Sequence, residues 1–503
     1  MPLPPPPPAP APEAAWAPTP PPRVPPPGSG GRASPRDRGL GVAILGVFAT
    51  GVLAVVTGAV DEPGVAHPDR WDPRIADLAE FVEDERELEF DHPVHVDFLT
   101  AAEYSAETVT EGDALDDADR EELDLTIAQL RAVGLASGDV DLFQVINDVS
   151  DGGTLAFYTP EDERVRVRGT ELTAGLRVTL VHELTHALQD QHFDLGGVLD
   201  GAADSSESVA RRGLAEGDAL RVEDAYVTEE LSDEEAAAYE AEYEAEVAGA
   251  EATTSGVPDS IAAIFRIPYD LGGPFVNALF EDGGNDAVDD AFRDPPSTEE
   301  HLFDPASYLA GEDATDVGLS LGDVETLDEG PFGSPGWFLM LAERLEPSVA
   351  FDAVLGWAGD AYGVFERDGR TCVRTVFAGD AEPEETEMRN ALKAFQDALP
   401  GELTEVLEVG GHPAIDACDP GPDADLAVVG RSTQVLVLPN LWGYLVGGSA
   451  PELGPDGSRC FAGSVLDGLT YEELIAPEAQ EGLVAEVQGL AAAAYVECGS
   501  GER

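Results

Sequence analysis

Lysine is almost missing from this chain of 503 residues, with Lys393 as the only one. Against 27 basic residues stand 100 acidic ones, for a formal charge of -73. A surface so negative repels phosphate backbones and anionic lipid headgroups, which excludes nucleic acid and acidic membrane surfaces as partners. Dense carboxylates also keep a protein solvated in concentrated salt, so a saline habitat is expected. Methionine is nearly as scarce, at Met1, Met340 and Met388. No cysteine precedes Cys372, and Cys372, Cys418, Cys460 and Cys498 lack the Cys-x-x-Cys spacing of a zinc site. In an oxidising compartment an even count points to two disulfides. Of the three pairings, Cys372–Cys418 with Cys460–Cys498 closes the more local loops.

Charge is absent from residues 39–60, and the apolar run Leu40 to Val60 is long enough to cross a bilayer core of about 30 Å at about 1.5 Å per residue. Arg32, Arg36 and Arg38 precede it and Asp61 and Glu62 follow. This asymmetry predicts a single-pass anchor with the N-terminus in the cytoplasm and everything later outside the membrane. Thr57-Gly58-Ala59 offers a cleavable signal peptide as the alternative. Residues 1–38 are dominated by proline, with Pro4 to Pro8 unbroken. Such a segment cannot build a core and is expected to be disordered and extended, either as a spacer or as a docking tail for a cytoplasmic proline-binding partner. A linker is expected over 61–72, a first globular domain over 73–349 and a second over 350–503.

What the chain does have is His-Glu-x-x-His at His182, Glu183 and His186, although it holds only eight histidines. On a helix, residues i and i+4 lie one turn apart on one face, so two imidazoles at this spacing converge on one ion. Glu183 sits a step round the helix, where it can act on an attacking water rather than on the metal. Leu172, Leu176, Leu180, Leu184 and Leu188 recur every fourth residue, and Val178, Val181 and Ala187 widen that surface. A buried helix is therefore predicted, with Thr170 or Thr173 as N-cap and Gly196-Gly197 at the far end.

A catalytic zinc takes three protein ligands, and two residues compete for the third place. His192 stands ten residues after His182, the spacing of the longer motif His-Glu-x-x-His-x-x-Gly-x-x-His. Gln189, however, occupies the position where that motif turns on glycine. The rival is Glu216, within Ser208 to Leu220, a stretch that reads as a second helix able to face the first. The reading favours Glu216 and keeps His192 as the alternative.

The run from His182 to Leu195, followed by Ala-Glu-Gly-Asp-Ala at 215–219, resembles predicted bacterial zinc metallopeptidases of the gluzincin type, and Pro295 to His301 is similar to a segment that follows the site in such proteins. The resemblance covers about residues 90 to 345. It implies a zincin-like catalytic domain, a bound zinc and hydrolysis of peptide bonds in a polypeptide substrate. One departure stands out. The gluzincin ligand helix carries Glu-x-x-x-Asp, whose Asp supports a ligand histidine, and position 220 is Leu. Asp218, Asp224 and Asp190 are the replacements to consider.

The fold expected is α+β: a zincin-like domain with an active-site helix and an edge-strand sheet, then a disulfide-bearing α+β module. Helices are predicted over 74–84, 101–117, 118–133, 231–247, 383–399 and 471–497, with another from Ser334-Pro335 and helix with loop over 261–280. Strands are predicted over 93–99, 154–158, 164–169, 371–377 and 434–438. By the resemblance, Val165 to Arg168 or Ala156 to Tyr158 borders the cleft and pairs with an extended substrate. The mechanism expected is zinc on His182, His186 and Glu216 with Glu183 as general base. His301, Tyr269 and Tyr308 are considered as oxyanion donors. The alternative is an ectodomain that keeps the zinc but binds rather than cuts; the intact Glu183 argues against it.

Overall fold

The computed structural model describes residues 67–109, 115–152, 155–253, 257–399, 403–424, 426, 431–475 and 480–499. The proline-rich segment, the apolar run at 40–60 and the start of the expected linker lie outside these residues. Among the described residues no helix is long and apolar enough to cross a membrane.

The fold is mixed α+β, rich in helix, with two small sheets. The chain begins with α1 (Ala76–Arg86), β1 (His95–Leu99) and α2 (Ala101–Thr108), the last started by a capping box between Thr100 and Glu103. A second box, Asp116 with Asp119, starts α3 (Asp117–Ala132), and α4 (Leu142–Gly152) follows. β2 (Ala156–Thr159) and β3 (Arg164–Arg168) then form an antiparallel pair, with β1 parallel on the far side of β3. In β3 the alternation is strict. Val165 and Val167 are fully buried, while Arg164 and Arg166 pair with Asp97 and Asp162 and Arg168 lies over the Tyr104 ring. The sheet order β1-β3-β2 makes β3 the central strand. Val165 to Arg168 therefore cannot offer a free edge, and of the two stretches expected to border the cleft only Ala156 to Tyr158 does.

The valine face of this sheet shares a core with α5 (Ala174–Phe193). Helices α6 (Ser205–Glu229), α7 (Asp233–Thr253) and the long α8 (Asp259–Arg293) follow. Thr173 caps α5 by accepting the Leu176 N–H at 3.2 Å, and Glu242 of α7 accepts the Gly175 N–H at 2.8 Å. Between Ala174 and Gln189 only Arg177 is not buried, so α5 runs through the middle of the fold. It ends earlier than Gly196-Gly197, at Asp194, which takes a left-handed conformation at φ 55°. The stretch 261–280, expected to be helix with loop, is helical throughout, and α8 continues to Arg293 through a kink at Gly283 and Gly284. Helices α6 and α8 touch backbone to backbone. A Cβ on Gly217 would lie 2.1 Å from the Gly272 carbonyl oxygen, and one on Gly272 would lie 2.2 Å from that of Gly213.

The remaining chain forms β4 (Thr326–Gly330), α9 (Ser334–Ala342), α10 (Pro347–Val354), β5 (Trp357–Arg367), β6 (Arg370–Gly379), α11 (Glu382–Asp397), β7 (Thr404–Val409), β8 (His412–Cys418), α12 (Val437–Leu466) and α13 (Gln480–Cys498). The second sheet is antiparallel in the order β4-β5-β6-β8-β7. Cys372 of β6 is bonded to Cys418 of β8, and Cys460 of α12 to Cys498. Both are the pairings preferred from loop length. Buried side chains are continuous across residue 350: Ile127, Leu214, Phe275, Trp337, Phe377, Ile415 and Ala462 belong to one core.

The run Gln434 to Leu438, read as a strand, is helical, split between Ser432–Val435 and the start of α12. Four consecutive apolar residues, Val435 to Leu438, carry no period that separates a buried strand from a buried helix. Asp259 decides locally, accepting the Thr433 N–H at 3.0 Å and its hydroxyl at 2.7 Å. Within α8, Pro274 has no N–H for the carbonyl of Asp270, and Asn440 of α12 donates to that oxygen at 2.6 Å instead. Gly443, one turn further on, lets α12 lie against the Pro274 ring, where a Cβ would come within 2.6 Å.

Candidate metal centre

His182 and His186 project from the same face of α5, and Glu216 of α6 meets them. His182 Nε2 lies 3.2 Å from Glu216 Oε2, His186 Nε2 lies 3.3 Å from the same oxygen, and the two nitrogens are 3.2 Å apart. The three donors thus form a nearly equilateral triangle. Its edge matches that of a tetrahedron whose ligands stand about 2.0–2.1 Å from the centre, about 3.3–3.4 Å. Two imidazole nitrogens and one carboxylate oxygen suit a first-row transition ion better than calcium or magnesium. All three residues are buried.

Each imidazole is held by its other nitrogen. His182 Nδ1 is 3.1 Å from Glu223 Oε2, and His186 Nδ1 is 2.9 Å from Gln189 Oε1. Both partners accept there, so each Nδ1 carries the proton and each Nε2 is the nitrogen offered to an ion. The Glu216 carboxylate is fixed as well, its second oxygen accepting the Tyr269 hydroxyl of α8 at 2.7 Å.

The electrostatics follow from this packing. Burial alone would lower the His182 pKa, but hydrogen bonds to Glu216 and Glu223 outweigh it and hold it up at about 10. Burial likewise opposes the charged form of His186, and the Glu216 carboxylate overrides it and raises the value. Glu216 would be raised by burial, yet the two imidazoles bring it well below the usual carboxylate range. Burial raises Glu183 despite the opposing charge of the histidines. Its carboxylate accepts the Tyr158 N–H at 2.8 Å, which fixes it against β2.

That contact defines the open edge of β2. Arg168 N–H bonds to the Leu155 carbonyl, so the register turns the backbone groups of Phe157 and Thr159 towards β3 and those of Ala156 and Tyr158 away from it. The Tyr158 hydroxyl donates to Asp190 of α5 at 2.8 Å. The edge strand and the helix of Glu183 are thus tied at two points.

The structure brings together His182, His186, Glu216 and Glu183. It does not bring in His192, because α5 continues straight through Gln189 and leaves His192 exposed at its end, 2.8 Å from the Glu89 carbonyl. His301 is bound to the Glu312 carbonyl and Tyr308 to that of Asp294, and neither hydrogen-bonds to the triad. Tyr269 does reach the site, but through Glu216. None of the three aspartates considered as support touches a ligand histidine: Asp190 holds Tyr158, Asp224 is exposed, and Asp218 stands behind Gln189. Sequence reading missed Glu223 and Gln189. Glu223 stands seven residues after Glu216, two turns along the same helical face, and that spacing was a usable signal. Gln189 was visible only as the obstacle to a turn, although it stands at i+3 from His186.

Searches against protein-family models, curated proteins and solved structures found no match for this chain.

Proposed function

We propose that the chain is a zinc-dependent peptidase of zincin type, anchored in a membrane by residues 40–60 and acting outside it on polypeptide substrates. The observation that carries this reading is the triangle of His182, His186 and Glu216 donors beside a buried glutamate that is not part of it. A site built only to hold an ion has no need of Glu183, which argues against the binding-only alternative.

Zinc, when bound by His182, His186 and Glu216, would lower the pKa of a water molecule to about 7 and polarise the scissile carbonyl. The rest falls to the chain. Glu223 and Gln189 hold the two imidazoles in the orientation that presents Nε2, and Tyr269 holds Glu216. Glu183, with one carboxylate oxygen fixed by the Tyr158 N–H, takes the proton of the attacking water and passes it to the leaving amine. Its raised pKa suits a group that must hold that proton between the two events. An extended substrate would lie along β2, where the backbone groups of Ala156 and the Tyr158 carbonyl face the open side.

The test is Glu183→Gln in the segment following residue 60. The variant is expected to bind zinc as the parent does while cleavage of an unfolded protein falls by about 10²–10⁴-fold. A chelator should abolish cleavage by the parent, and zinc should restore it. Activity retained in Glu183→Gln would overturn the mechanism.

A further inference from the structure

Gln189 supports His186 only if its side-chain amide faces one way, and the arrangement that fixes that direction starts on another helix. The Gln189 Nε2 donates to Asp218 Oδ2 at 2.9 Å and to the Ala215 carbonyl at 3.0 Å. Both partners accept, so Nε2 cannot exchange places with Oε1, and Oε1 must face the Nδ1–H of His186. Asp218 is in turn held by Arg86, the last residue of α1, whose Nε donates to the same Oδ2 at 2.9 Å. The remaining guanidinium nitrogens reach Asn285 at 3.0 Å and Asp289 at 2.8 Å on α8. The Arg86 and Asp218 side chains are fully buried.

We propose that Arg86 is a positioning residue for the metal centre, acting through Asp218 and Gln189 to present His186 Nε2 to the ion. The proposal rests on the metal-site reading above. A buried guanidinium with carboxylates on two helices could serve only to join α1, α6 and α8. What assigns the further role is the direction of the hydrogen bonds. Arg86 donates to Asp218 and holds that carboxylate charged and in place, Gln189 donates to Asp218 and to the Ala215 carbonyl, and His186 donates to the Gln189 oxygen that this leaves facing it. Replace Asp218 by a group that can donate, and only the Ala215 carbonyl still holds the amide against turning its N–H groups towards Nδ1, a turn that would leave His186 without an acceptor.

The test is zinc affinity by competition with a chelator, on the full chain, for the parent, Arg86→Lys, Gln189→Met and the double variant. Lysine keeps the buried charge but cannot bond Asp218, Asn285 and Asp289 in the same fork. Each single variant is expected to bind zinc about 10- to 100-fold more weakly. The double variant should be no weaker than Gln189→Met alone, because both changes break one chain; a role confined to joining helices would lower thermal stability without this coupling. Parent-like affinity in Arg86→Lys, or losses that multiply in the double variant, would overturn the proposal. If Arg86→Lys does not fold, Arg86→Met combined with Asp218→Asn removes both charges together and carries the same expectation. A parent protein that binds no zinc would remove the centre itself, an outcome distinct from a parent that binds zinc and variants that match it.

Discussion

Each donor of the centre has a second bond, and Tyr269 supplies the one to Glu216. Tyr269→Phe removes the 2.7 Å hydrogen bond to Glu216 while keeping the ring in its buried place. It should cost about 0.5–1.5 kcal/mol in zinc binding, a several-fold loss by chelator competition. An unchanged affinity would mean that the histidines alone fix the carboxylate. The raised pKa values of the two histidines make a second statement. With His182 held at about 10, the metal-free protein carries a proton at neutral pH that an ion must displace. Zinc binding at pH 7 should therefore release protons, and affinity should climb as pH rises towards 10. Calorimetry in buffers of different ionisation heat counts these protons, and a heat independent of buffer would contradict the assignment. The stability of the metal-free fold runs the other way. The imidazolium of His182 stabilises it fully below the unfolded value of about 6.5, and that contribution is lost as pH rises through about 10. The depressed Glu216 contributes above its ordinary range and loses its share only in acid.

At the scale of elements, the site depends on how closely α6 and α8 approach. Gly272→Ala would place a Cβ 2.2 Å from the Gly213 carbonyl oxygen, so the two helices must separate, and Tyr269 leaves Glu216 with them. We expect a destabilisation of about 1–3 kcal/mol in urea unfolding, with weaker zinc binding in the folded fraction. A variant with the parental midpoint would show that α8 shifts along its length without strain. Local signals made much of this fold legible in advance. The cap at Thr173, the four-residue leucine period of α5 and the strict alternation of β3 are all choices the chain makes within a few residues. His182, Glu183 and His186 were legible for the same reason. What was not legible depends on partners far away in sequence. The helix at Ser432–Val435 answers to Asp259, and the orientation of Gln189 answers to Arg86 and Asp218. Glu216 lay between these cases: its helix was readable, and its direction became certain only against α5.

The whole molecule carries a charge of -73, and the described ion pairs use only a minority of its 100 acidic residues. Repulsion among the others opposes the compact state and weakens as salt shortens its reach from about 10 Å at 0.1 M to about 3 Å at 1 M. The segment following residue 60 should therefore melt several degrees higher in molar salt than in dilute buffer. A melting temperature that is flat or falls with salt would remove the saline expectation. The continuous core and the two disulfides bear on how much of the chain a working preparation needs. Residues on both sides of position 350 fill one interior, so the helices of the candidate metal centre and the second sheet share their stability.

Pro274 and Asn440 depend on each other over a gap of 166 positions along the chain (440 − 274), because the carbonyl that proline leaves open is the one asparagine closes. This gives the two positions an order in which they can change. With an ordinary residue at 274, its own N–H would serve the Asp270 carbonyl, and residue 440 would be released from that task. Once proline is present, losing Asn440 strands a buried oxygen, and the way back opens only by changing 274 first.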